Sequence, residues 1–154
     1  MTLSVNRDTV LSALFSRLSL ITFSTPVRGV SNFTICSRRL RHWSDVPKSE
    51  RPALFMVCHG ESSVYRAENV PAYTTMSVKL FIYTDGSDKL SVPDTDISII
   101  LDAIDRALSP GPGEARQTLG GLVSHCRIDG EILRDPGDMD DDGLIIVPIL
   151  VTAT

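Results

Sequence analysis

The run LIIVPILV (residues 144–151) limits this chain more than any other stretch. Its β-branched, uninterrupted apolar character reads as a strand covered on both faces, because successive side chains of a strand point to opposite sides. Pro148 complicates that reading. Proline has no N–H to give to a ladder, which confines it to a sheet edge or a bulge. A two-faced apolar strand at an edge is awkward for a solitary chain, and a neighbouring subunit covering it resolves the conflict. Ile146 and Pro148 are therefore candidate interface residues.

The stretch DPGDMDDDG (residues 135–143) stands directly before that run. Asp138, Asp140 and Asp142 followed by Gly143 match the opening of a helix–loop–helix calcium loop. The full motif fails twice. Its twelfth position, which needs a bidentate carboxylate, is Ile149, and a strand follows where a helix is required. The reading adopted is a solvated hairpin turn whose charges discourage edge pairing, with a looser calcium site on the three aspartates as the alternative.

Hydrophobic spacing supplies the remaining elements. Val10, Leu11, Leu14, Phe15 and Leu18 fall on one face of a helix. Pro26 and Gly29 mark a turn, NFTICSRRL reads as a strand, and Trp43–Pro52 is a connection. ALFMVCH is a compact core strand, followed by Glu61–Pro71 as a flexible hairpin arm. In AYTTMSVKLFIY, Met76, Val78, Leu80 and Ile82 alternate with polar residues, the pattern of a half-buried strand. A loop, Asp85–Pro93, leads into a second helix capped by Asp94, with Ile97, Ile100, Leu101, Ile104 and Leu108 as its buried stripe. SPGPG ends it. GLVSHCRIDGEIL and LIIVPILV then give two strands joined by the acidic turn. The expectation is an α+β fold: a single mixed, mostly antiparallel sheet with two helices packed on it and long polar arms, all in one domain spanning 1–154.

Composition narrows the chemistry. A net charge of −4 leaves the whole molecule without an electrostatic footprint for nucleic acid. Three cysteines, Cys36, Cys58 and Cys126, are too few and odd in number for a disulfide framework, and point to a reducing compartment. Arg17 interrupts the apolar N-terminal run and Asp8 spoils a basic leader, so neither a signal peptide nor a membrane span is expected, and the Asn32-Phe33-Thr34 sequon carries no meaning. Cys58-His59 and His125-Cys126 are adjacent in strands, so the members of each pair face opposite ways and cannot form a dyad or chelate by themselves. GPGEARQTLGG has no Gly-Lys-Ser/Thr and is not a phosphate loop. No catalytic residue, cofactor or metal is expected; a small Cys/His enzyme stays as a rival reading. The basic cluster SRRLRHW, with Arg38, Arg39, Arg41 and Trp43, reads first as a solvated strand end, next as an interface, and last as a contact to nucleic acid.

Several of these stretches together resemble a known family. SRRLRHWSDVPKSERPALFMV, TTMSVKLFIYT, LDAIDRALSP and RQTLGGLVSHCRIDGEILRDPGD, taken in order from about Leu11 onward, are similar in layout to the tail-terminator (tail-completion) proteins of long-tailed bacteriophages. Head–tail connector proteins of the neck have a similar size and fold. The resemblance implies a non-enzymatic protein of the virion. It would form a ring, usually a hexamer, that caps the tail-tube protein, stops polymerisation and offers a surface to a head-completion protein. DNA would pass through the lumen. The arms, including Tyr65 and Arg66, would then contact adjacent subunits or the tube, and the basic cluster would meet DNA if it faced the lumen.

Overall fold

A computed structural model describes residues 6–65, 67–70 and 72–153. Arg66, one of the expected interface residues, and Pro71, the end of the expected arm, lie outside the described residues.

Helix α1 (Arg7–Ser19) begins where the Asn6 side chain accepts a hydrogen bond from the Thr9 N–H at 3.0 Å. That bond satisfies one of the donors a helix start leaves free. Its buried face is Val10, Leu11, Leu14 and Leu18, as the spacing predicts, with Phe15 at the margin. The turn at Pro26–Gly29 follows. Val27 and Val30 form a bridge around Arg28 and Gly29, both at positive φ (54° and 81°), the geometry a tight two-residue hairpin demands.

Six strands make one open sheet: β1 (Ile35–Ser37), β2 (Ala53–Val64), β3 (Tyr73–Asp85), β4 (His125–Ile128), β5 (Leu133–Asp135) and β6 (Asp142–Ala153). The order is β1-β2-β3-β6-β4, with β5 also paired to β6. Only β1 and β2 run parallel; every other pairing is antiparallel. Helix α2 (Pro93–Ala107) joins β3 to the second half of the chain. The fold is α+β, with a mixed, mostly antiparallel sheet and two helices.

Both helices pack on the same sheet face. The main core unites their apolar stripes with Leu54 and Met56 of β2, Met76 to Ile82 of β3, and Ile145 to Val151 of β6 at alternate positions. Ile97, Ile100 and Ile104 are fully buried in it, each stabilising the fold by roughly 1.5–3 kcal/mol. Leu101 and Leu108 complete the expected stripe.

The structure corrects several expectations. NFTICSRRL contributes only Ile35–Ser37 to the sheet, because the Ser37 hydroxyl turns the chain by accepting from the Arg39 N–H at 3.0 Å. The first four residues of the expected flexible arm are strand. Glu61, Ser62, Ser63 and Val64 continue β2 opposite Met76, Thr75, Thr74 and Tyr73, with a bulge between Cys58 and Gly60. Asp94 does not cap α2. Val92 holds the cap position without a side-chain bond, and Pro93 opens the helix, where its missing N–H costs nothing.

The largest correction concerns β6. It is not an edge strand, since β3 flanks it along its whole length on one side while β4 and β5 flank it on the other. GLVSHCRIDGEIL thus supplies only the short strand β4 (His125–Ile128) and the first residue of β5, and Pro148 faces the break between β4 and β5. Asp129 donates its N–H to the Pro148 carbonyl at 3.1 Å. A residue's C=O and N–H point to the same side of a strand, so the donor that proline lacks would have faced that gap. Gly130, at φ +122°, lets the chain pass close there: a Cβ on it would lie 3.2 Å from Pro148 Cγ. Nor is β6 covered on both faces. Leu144, Ile146, Pro148 and Leu150 point away from the helices and are only half-buried.

Candidate interaction surfaces

The sheet face opposite the helices is the first surface. The register sets Ile146 against Phe81, Pro148 against Lys79 and Leu150 against Ser77, all half-buried. One end of this face is roofed by the short helical turns Trp43–Asp45 and Lys48–Glu50. Val46 is buried there with Ala53, Phe55 and Tyr83 in a second, small core. The rest has no covering element among the described residues. The structure therefore places Ile146 on an apolar patch, while Pro148 belongs to a break inside the sheet.

A second surface is the outer edge of β2. Strand β1 pairs only Ala53–Phe55, and no described strand pairs Met56–Val64 on that side. The hairpin it forms with β3 ends in exposed Val64 (54%) and Tyr65 (66%). Tyr65 is thus solvent-facing at the tip of a paired hairpin rather than on a free arm.

The basic cluster is largely spent within the molecule. Arg38 pairs with Asp8 at 2.9 Å and also reaches the Ser12 hydroxyl. Arg41 pairs with Glu50 at 3.4 Å and donates to the Asp45 carbonyl. Trp43 remains half-exposed with its ring beside His42, and Arg39 is exposed. SRRLRHW is therefore tied to α1 through Arg38 and to the roof over the second core through Arg41, rather than presenting a continuous positive stripe.

At one end of the sheet lies a dense charge network that sequence reasoning missed. The Arg51 guanidinium donates to the carbonyls of Trp43, Val46 and Thr84 and meets Asp142 Oδ1 at 2.6 Å. Arg28 pairs with Asp85 at 3.1 Å. Burial pushes the Asp85 carboxyl up, but hydrogen bonds from Ser87, with Arg28 and Lys48, outweigh it and hold its pKa below the ordinary value. Asp96 shifts the other way, raised chiefly by burial. Asp142 is therefore no solvated turn residue, whereas Asp138 and Asp140 are exposed. Among the described residues, no three His, Cys, Asp or Glu side chains come together as metal ligands.

The cysteines and histidines do not converge on one chemistry. Cys126 is fully buried under the helices, and burial pushes its thiol up to about 12, so it carries no thiolate at neutral pH. His125 lies on the opposite sheet face, its Nδ1 3.2 Å from Arg127. Partial burial, then Arg127 and Arg116, lower its pKa and keep it neutral. Cys58 is exposed beside the β2 bulge.

A cleft of about 630 Å³ opens between the last turns of the two helices. Small residues, Ala13, Ala103 and Ala107, keep the helices from filling it, and Ile21 and Leu119 extend the apolar lining. Arg17 and Arg106 are its charged residues. The sequence signalled Arg17 as a break in an apolar run, but nothing in it paired that residue with Arg106. No helix among the described residues is long and apolar enough to cross a membrane. The chain matches no protein-family model and no curated protein sequence.

Proposed function

We propose that this chain is a structural protein of a long-tailed bacteriophage, a tail terminator that assembles as a ring on the end of the tail tube. In that role it stops tube polymerisation and offers the outer surface of the ring to a head-completion protein. The count of six subunits comes from the resemblance to tail-terminator proteins alone. The observation that carries the reading is the outer edge of β2, Met56–Val64, which no strand among the described residues pairs, beside an open sheet face bearing Phe81, Ile146 and Leu150. Free edges are templates for pairing with another chain, and a closed ring of identical contacts covers every copy without leaving one exposed.

Pro148 sits at an interior break and gives this reading no support; β2 and the face that includes Ile146 support it. The test is native mass spectrometry over a concentration series, with and without purified tail tubes. A ring that forms on tube ends, or that forms in solution and then binds them, agrees with the proposal. A chain that stays monomeric and ignores tube ends ends it.

A further inference from the structure

We propose that the cleft between the last turns of α1 and α2 receives the Met139 turn of a second copy of this chain. The methionine would enter the cleft, with Asp138 and Asp140 set against Arg17 and Arg106. Three observations point there.

The first is a pair of exposed cations without a carboxylate partner among the described residues. Arg17 and Arg106 line the cleft, and among the described residues neither is ion-paired; Arg17 donates only to the Ala107 carbonyl, at 3.4 Å. The cleft lining contains no carboxylate, while its alanines leave room for an apolar side chain.

The second is a matching projection. Met139 is 94% exposed, although it is among the larger apolar side chains of the protein. It stands between Asp138 and Asp140, both exposed and neither ion-paired among the described residues. An unbranched, polarizable thioether suits an irregular cleft lined by small residues. The turn itself is held firmly. Gly86 donates to the Asp141 carbonyl, Asp141 donates to the Gly137 carbonyl, and Lys89 pairs with the Asp141 carboxylate. Projection and cleft thus carry opposite charge around complementary apolar surface.

The third is where they lie. Arg134, next to the turn, reaches Asp94 and Ser98 in the first turns of α2. The cleft is at the other end of that helix: Arg106 lies twelve residues beyond Asp94, about 18 Å along the axis at 1.5 Å each. One chain cannot satisfy both surfaces with itself. A contact between different surfaces of identical copies is head-to-tail, and its repetition closes a ring or continues as a filament. The contact deepens the ring reading and relies on it only for closure.

The experiment uses charge reversal in the full chain. Arg17→Glu with Arg106→Glu reverses the cleft. Asp138→Lys with Asp140→Asn reverses the turn while keeping the side-chain oxygen that accepts from the Asp142 N–H. All four positions are exposed, and circular dichroism confirms that each variant folds. Sedimentation equilibrium should show each variant associating about tenfold more weakly or worse, because like charges then oppose across the contact. The chain carrying all four changes, and an equimolar mixture of the two variants, should both recover association. Unchanged association of either variant, no recovery in both combinations, or a parent that stays monomeric at its highest soluble concentration overturns the proposal. Binding of the parent to tail-tube ends is read separately. Its loss defeats the terminator reading, whereas self-association insensitive to these charges defeats only the cleft.

Discussion

Arg51 and Asp142 stand 91 positions apart in sequence and meet at 2.6 Å, with the arginine side chain 3% exposed. The same guanidinium holds the carbonyls of Trp43, Val46 and Thr84. One side chain therefore ties the roof over the small second core to the start of β6. Removing it leaves several buried acceptors and a carboxylate without their donor.

Arg51→Ala should cost about 3–5 kcal/mol of folding stability, the usual loss when one partner of a buried pair is removed. Arg51→Lys should recover only part of it, since an ammonium cannot span the same fork of acceptors. Urea unfolding of both variants checks this. A midpoint unchanged in Arg51→Ala would mean that the roof does not depend on the clamp.

The acidic turn divides into two kinds of residue, and its variants should divide the same way. Asp138→Asn and Asp140→Asn are expected to shift stability by less than about 0.5 kcal/mol, as solvated charges do. Asp142→Asn should cost about 1–3 kcal/mol, because it weakens a charge-assisted bond to a buried arginine. Equal effects at all three positions, read by urea midpoint, would contradict the division.

Helix α2 offers a direct test of core packing. Ile104 is 0% exposed in the layer between α2 and the sheet. Ile104→Ala should cost about 2–5 kcal/mol, by transfer and cavity terms together. Chemical denaturation measures it, and a loss below 1 kcal/mol, far under that range, would be inconsistent with this burial.

Asp85 gives the pH dependence a sign. Its folded pKa lies below the ordinary 3.8, so its contribution is present above that value and is lost as pH falls through the folded pKa. Asp85→Asn should therefore lower stability by about 1–2 kcal/mol at neutral pH. The gap between parent and variant should close in acid. A gap that persists unchanged in acid would show that the effect is not ionic.

The helices and β3 were legible because their apolar residues follow a single period with one buried face. Strand β6 was legible as a strand but not in position. Leu144, Ile146 and Leu150 are apolar on the less covered face, so the alternation of Ile145, Val147, Ile149 and Val151 toward the core was hidden. Pro148 was compatible with an edge or an interruption, and only tertiary pairing with β4 and β5 distinguishes them. The second half of β2 was unreadable for the opposite reason. Glu61 to Ser63 look like loop, and they become strand by pairing with the hydroxyl-rich start of β3. Arg51 gave no local sign at all, because its burial depends on carbonyls and a carboxylate distant in sequence.

The open sheet face carries the last prediction. Ile146 is half-buried and opposite Phe81, whereas its neighbour Ile145 is fully buried toward the helices. A lysine at 146 can send its ammonium to water along the sheet face, so Ile146→Lys should fold with a loss of about 1–2 kcal/mol. A lysine at 145 has no such exit, and Ile145→Lys should fail to fold stably. If the open face lies in the ring contact, Ile146→Lys places a charge inside an apolar interface and should shift native mass spectra toward monomer. Under the proposed terminator function, the same variant should let tails grow past their normal length. A folded Ile146→Lys protein that assembles and controls length as the parent does would remove this face from the interface, leaving the β2 edge and the helix cleft as the contacts to test.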